Sequence, residues 1–287
     1  MPGAAQQTSQ PASSGSQTQT APPPGSSQNY KASLGTTPNE PYSVEIFYWF
    51  AGGEPALRGG KTNFTDTTNT STGLDFTGKV HRSPGIILSM PAGKGNSLHF
   101  SYFQNVGTGN QTAQTNLALF GTGFATGDYL ATRYRVRNAK VSWDFLTWPT
   151  PLNGSSFRFR TLWEVQYTTA YSSIDAPLKP ISYDSSGSPI PNTGYGTRSF
   201  VYPTFGVAVS KDFGKHLRLE GKASGFGLPH HATLWDAEAS AAVRLGPLDV
   251  IGAYKGFHFK TSPQSDYYFM QTLSGGYVGL RWNFGKL

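Results

Sequence analysis

From Tyr42 onward, large apolar residues return at every second position, the period of a strand whose side chains alternate between two faces. In Tyr42 to Phe50 the apolar set is Val44, Ile46, Tyr48 and Phe50, with Ser43, Glu45 and Trp49 opposite. Gly85 to Met90 and Ser97 to Gln104 follow, joined by Pro91-Ala-Gly-Lys-Gly-Asn96, a run of turn formers that predicts a hairpin. A long strand is expected from about Tyr129 to Leu146. Its first half sets Arg133, Arg135 and Arg137 against Tyr134 and Val136. Beyond Asn138 the apolar set becomes Ala139, Val141, Trp143 and Phe145, against Lys140, Ser142 and Asp144. One inserted residue would produce that change of parity, so a β-bulge is expected there.

Six more strands complete the pattern. Phe157, Phe159, Trp163, Val165 and Tyr167 oppose Arg158, Arg160, Glu164 and Gln166, and Val201, Phe205, Val207 and Val209 oppose Thr204, Gly206, Ala208 and Ser210. After a turn at Lys211-Asp-Phe-Gly-Lys215, Leu217 and Leu219 oppose Arg218, Glu220 and Lys222. Trp235, Ala237, Ala239, Ala241, Val243 and Leu245 oppose Asp236, Glu238, Ser240 and Arg244. Gly246-Pro247 then turns into a ninth strand led by Leu248, Val250 and Tyr254, and Tyr267 to Phe284 is the tenth.

Connections after strands two, four, six and eight are short. Those after one, three and five, about Gly52 to Ser83, Asn105 to Asp128 and Ser172 to Arg198, are long, polar and glycine-rich. Short turns at one end and long loops at the other are the arrangement of a transmembrane barrel, with both termini on the short-turn side. The polar faces carry ions of both signs while the apolar sets lack Asp, Glu, Lys and Arg, as lipid demands of an outer face. Tyr42, Trp143, Trp148, Tyr167, Tyr171, Trp235, Tyr254, Tyr268 and Trp282 near strand ends suit interfacial girdles. A soluble β-sandwich is the competing fold, since alternation alone does not separate the two.

Composition narrows the classes. Residues 1–40 are mostly Gln, Ser, Thr, Pro, Ala and Gly, too poor in apolar bulk to offset ordering, and are expected to form a disordered leader. A signal peptide is expected upstream, with Pro2-Gly-Ala-Ala-Gln-Gln7 as a cleavage remnant. The chain has no cysteine, which removes disulfides, thiolate metal sites and cysteine nucleophiles. The net charge of +7 is dispersed along strands, which argues against nucleic acid as a partner.

The terminal run Tyr277-Val-Gly-Leu-Arg-Trp-Asn-Phe284 places Val278, Leu280, Trp282 and Phe284 on one face. It resembles the last strand of Gram-negative outer-membrane β-barrel proteins of the small, closed or narrow-pore type, and the likeness extends over about Tyr42 to Phe284. Gly285-Lys-Leu287 beyond the aromatic end depart from that pattern. The resemblance implies a bacterial outer-membrane location, lipid as the surrounding partner, and Tyr277, Leu280, Trp282 and Phe284 as the signal read by the barrel-assembly machinery. The fold expected is therefore all-β, a single up-and-down antiparallel barrel over residues 41–287. About ten strands are expected, within a range of roughly eight to twelve.

Candidate sites follow from the charges. Arg133, Arg135, Arg137, Asp144, Arg158, Arg160, Glu164, Arg218, Glu220, Glu238 and Arg244 are expected to line the lumen. As an internal salt-bridge network they would plug it; as an arginine constriction they would select anions. His99-Phe-Ser101 has a faint likeness to the His-x-Ser of outer-membrane lipid A deacylases, and reads as polar lumenal filler. His230-His231 with Asp236 reads as a polar loop near the outer rim, and Asn63, Asn69, Asn110 and Asn153 are loop Asn-x-Ser/Thr sites of no consequence in a bacterium. No metal or cofactor is expected. The function expected is a non-enzymatic outer-membrane scaffold meeting surface ligands through long loops. The competing reading is a narrow, porin-like channel for small, anionic solutes.

Overall fold

The computed structural model describes residues 41–53, 57–59, 77–93, 95–114, 116–149, 156–228, 232–262 and 267–284. The expected leader, His230, His231, Asn63, Asn69 and Asn153 lie outside the described residues. Ten strands run in chain order: β1 (Tyr42–Trp49), β2 (Pro84–Pro91), β3 (Ser97–Thr112), β4 (Tyr129–Trp148), β5 (Phe157–Asp175), β6 (Thr193–Phe213), β7 (Leu217–Leu228), β8 (Ala232–Leu245), β9 (Leu248–Lys260) and β10 (Tyr267–Phe284). Each pairs antiparallel with the next, and β10 pairs back onto β1 from Tyr42 opposite Phe284 to Trp49 opposite Tyr277. The sheet is thus a closed up-and-down barrel, and closure removes the exposed edges that an open sheet would present.

The wall is uneven in height. Strands β3 to β6 have 16, 20, 19 and 21 residues, whereas β7 to β9 have 12, 14 and 13. Much of what reads as long loop is therefore strand: β3 continues to Thr112, β5 to Asp175, and β6 begins at Thr193. The segment Thr77–Arg82 also pairs with upper β3. Above β3, Leu117–Leu119 and Thr122–Phe124 form a small hairpin that packs into the mouth, with Leu119 and Phe124 buried.

The bulge expected near Asn138 does not exist. From Tyr129 to Leu146 the register of β4 against β3 and β5 is unbroken, so Arg133, Arg135, Arg137, Ala139, Val141, Trp143 and Phe145 all point outward. What changes along β4 is the surroundings. Below Asn138 the outside is apolar and the inside charged. Above it the outside is polar and the inside holds Leu130, Tyr134 and Val136, all buried. The hydrophobic phase inverts where the wall leaves the lipid, with side-chain parity constant.

The outward faces measure the span. On β4 the apolar stretch from Ala139 to Trp148 covers nine residue steps of about 3.3 Å. Tilted by about 40°, that is roughly 23 Å along the normal, against about 25 Å for a transmembrane barrel's apolar band. Trp163, Val165, Phe205 and Val278 expose half or more of their surface within this band, and Tyr42, Trp148 and Trp282 lie at its lower edge. Lys211 is the one Lys, Arg, Asp or Glu on the described outward faces within these limits. It sits at that lower edge with its ammonium 4.9 Å from the Phe213 ring. So large an apolar belt would aggregate in water, and it places the barrel in the bacterial outer membrane.

Candidate functional site

The lumen holds two layers, each built from inward positions of several strands. The lower layer is ionic. Lys140 on β4 reaches across to Asp236 on β8 at 2.8 Å and lies 3.3 Å from Glu164 on β5. Lys255 on β9 meets the other oxygen of Asp236 at 2.8 Å and Glu238 at 3.8 Å. Thr204 and Ser224 donate hydrogen bonds to Glu164, and the Tyr277 hydroxyl donates to Glu238 at 2.7 Å. Towards the short turns, Arg244 pairs with Asp212 at 2.7 Å, and Arg158 lies 3.9 Å from the same carboxylate. Lys222 contacts Glu220 at 2.7 Å and Asp144 at 3.8 Å, and Arg218 contacts Glu220 at 2.9 Å. Paired ions of this kind can be buried because each neutralises the desolvated charge of its neighbour.

The layer above is aromatic. Trp49 packs edge-on against Phe103 at 5.4 Å between ring centroids, Phe103 against Phe257 at 5.1 Å, and Phe259 connects Phe257 to Phe200. Two inward glycines make room for rings. A Cβ at Gly85 would overlap the ring of Phe47, its neighbour across the β1–β2 pair, and one at Gly107 would overlap Tyr134 across β3–β4. The Lys255 ammonium lies 5.7 Å from the Phe103 ring and joins the layers. Among the described residues a cavity of about 90 Å³ reaches from Pro41, Asp249 and Asn283 near the short turns up to Phe47 and Phe103. That is room for a few waters.

His99 lies in this cavity wall, with Nδ1 2.8 Å from the Ser89 hydroxyl and Nε2 3.0 Å from Ser97 and 3.3 Å from Asp144. Ser101 is two residues along the same inward face. Asp236 belongs to the ionic layer of the lumen.

Of the expected lining residues, Asp144, Arg158, Arg160, Glu164, Arg218, Glu220, Glu238 and Arg244 are at inward positions. Arg133, Arg135 and Arg137 are not, which removes the anion filter. The apolar Tyr134 and Val136 opposite them suggest the reverse, but those two face the aromatic interior above the membrane. Lys140, Asp212, Lys255 and Asp249 were absent from that set although all lie inside. Along β9 the outward Leu248 and Val250 put Asp249 and, by twos, Lys255 on the inward face, whereas Asp212 stands in what the sequence presents as a turn after Ser210. At the terminus, Leu280, Trp282 and Phe284 face lipid, whereas Tyr277 points into the lumen.

Fold, apolar belt and charged interior define a bacterial outer-membrane β-barrel protein. No protein-family model matches the chain, and no curated protein matches it. Among solved structures it is similar to the outer membrane protease OmpT of Escherichia coli, at 12% identity over 87% of this chain and 99% of that one, with a TM-score of 0.44. It is similar as well to a mutant of the monoaromatic hydrocarbon channel TodX, at 8% identity over 85% of this chain and 91% of that one, TM-score 0.34. A third is the outer membrane channel DcaP of Acinetobacter baumannii, at 10% identity over 84% and 97%, TM-score 0.21. The expectation that this chain is not an enzyme does not stand: the first of these similar structures is a protease, and fold does not settle function.

Proposed function

We propose that this protein is a closed outer-membrane barrel that serves as a rigid mount, its lumen passing little or no solute and its raised β3–β6 wall presenting a surface outside the cell. The observation that carries this is the double filling of the lumen, an ionic layer tied across β4, β5, β8 and β9 beneath an aromatic layer from β1, β3, β6 and β9. A solute would have to break buried ion pairs and then displace close-packed rings. The outward position of the arginine ladder removes the feature that favoured an anion channel.

The test is conductance of the refolded full chain in a planar bilayer, after heating has been shown to change its gel mobility. Silent insertion is the expected result. Discrete current steps that scale with salt would overturn the proposal.

A further inference from the structure

The outward face of β4 above the apolar belt carries Arg133, Arg135 and Arg137 on three successive outward positions, all exposed. Ala139, the next outward residue below, stands between Tyr102 on β3 and Tyr167 on β5, whose exposed rings mark the upper edge of the belt. Two residues of strand advance about 6.6 Å, so at a tilt of about 40° the three arginines sit roughly 5, 10 and 15 Å above that edge. The polar headgroup zone begins there and is about 5–8 Å deep on each side of a bilayer. The guanidinium of Arg137 lies within it, and the longer reach of Arg135 and Arg133 covers headgroups that project farther.

The neighbours leave the ladder cationic. Across the register stand Gln104, Val106 and Thr108 on one side and Thr169, Tyr171 and Ser173 on the other. Arg137 Nε donates to Gln104 at 2.8 Å, and Arg135 lies over the Tyr171 ring at 5.6 Å, so both side chains are held outward along the wall. Among the described residues no carboxylate lies within ion-pair distance of the three. The next outward acid on β5, Asp175, stands opposite Ala131, one outward position above Arg133, and accepts from Thr193 at 3.2 Å. Three stacked forks without counter-charge repel one another unless an anion joins them, and phosphate oxygens match their bidentate geometry.

We propose that this ladder is a binding site for the phosphorylated headgroup of an outer-leaflet glycolipid. Phosphate is the chemistry recognised, and the lipid rather than free phosphate is its source, because the ladder starts at the belt edge and rises along the wall. The site rests on the membrane-spanning belt and is independent of whether the lumen conducts.

The experiment uses the full chain in phosphatidylcholine nanodiscs doped with bis-phosphorylated lipid A, with binding measured at two salt concentrations. The wild-type protein is expected to retain lipid A in a salt-dependent manner. Arg133→Gln/Arg135→Gln/Arg137→Gln is expected to weaken retention at least tenfold and to flatten the salt dependence. The corresponding triple lysine variant should keep the salt dependence at lower affinity, and Lys260→Gln, outward on distant β9, should match wild type. Arg135→Gln alone, checked for heat-modifiable mobility, carries the test should the triple variant not fold. Equal retention by the glutamine variants, equal retention of dephosphorylated lipid A, or competition by millimolar inorganic phosphate as effective as lipid A itself would each overturn the site.

Discussion

Replacing Asp236 with asparagine removes one charge from the centre of the ionic layer and leaves its volume nearly unchanged. Asp236 accepts from Lys140 at 2.8 Å and from Lys255 at 2.8 and 3.1 Å, and it is almost fully buried. Hydrogen bonds to charged groups are worth about 1.5–3 kcal/mol each, so two lost partnerships come to about 3–6 kcal/mol. Part is recovered, because Lys140 keeps Glu164 at 3.3 Å and Lys255 keeps Glu238 at 3.8 Å. A net loss of about 3 kcal/mol is expected, the lower end for breaking a buried ion pair. The assay is urea unfolding of the barrel in lipid vesicles, followed by tryptophan fluorescence, with unchanged slope against denaturant as the sign of an intact fold. A loss below about 1 kcal/mol, the size of a solvated surface pair, would refute the reasoning. It would mean that water reaches the layer freely and that the lumen is wetter than its packing implies.

Other outcomes follow from the same geometry. Gly85→Val should destabilise the barrel by about 1–3 kcal/mol in that assay, because its side chain enters the space of the Phe47 ring. Gly123→Val, whose Cβ meets nothing within 4 Å, should have no measurable effect. In single-tryptophan proteins, Trp163 should be quenched by lipid brominated in mid-chain and Trp49 should not; equal quenching would place the β1 or β5 parity in error. Phe103→Ala with Phe257→Ala opens the aromatic layer, and brief conductance steps in a planar bilayer are the expected outcome. Continued silence would assign the seal to the ionic layer alone.

The strands were legible in the chain because lipid outside and paired ions inside force strict alternation, and the turns at Pro91 to Asn96, Lys211 to Lys215 and Gly246-Pro247 punctuate it. The upper wall was not, for a physical reason. Alternation reports which side is apolar, and in β4 that side changes from inside at Val136 to outside at Ala139 although no residue is inserted. A sequence shows the same signature for a bulge and for a strand crossing from lipid into water. Lengths of β3, β5 and β6 were underestimated from the same cause, since Asn105 to Thr112, Ser172 to Asp175 and Thr193 to Arg198 are too polar or too glycine-rich to register as strands. Pairings inside the lumen, such as Lys140 with Asp236 across four strands, depend on barrel closure and have no trace in local pattern.

The seam between the first and last strands also bears on assembly. Arg281 on β10 grips Glu45 on β1 through Nε at 3.0 Å and Nη2 at 2.7 Å, across 236 positions of the chain. Arg281 also stands opposite the inward Asp249 of β9, so without β10 the two carboxylates level with it, Glu45 and Asp249, would lose the guanidinium that lies between them. The charge pair therefore fastens the first strand to the last, so that closing the ring and neutralising these buried charges are one event.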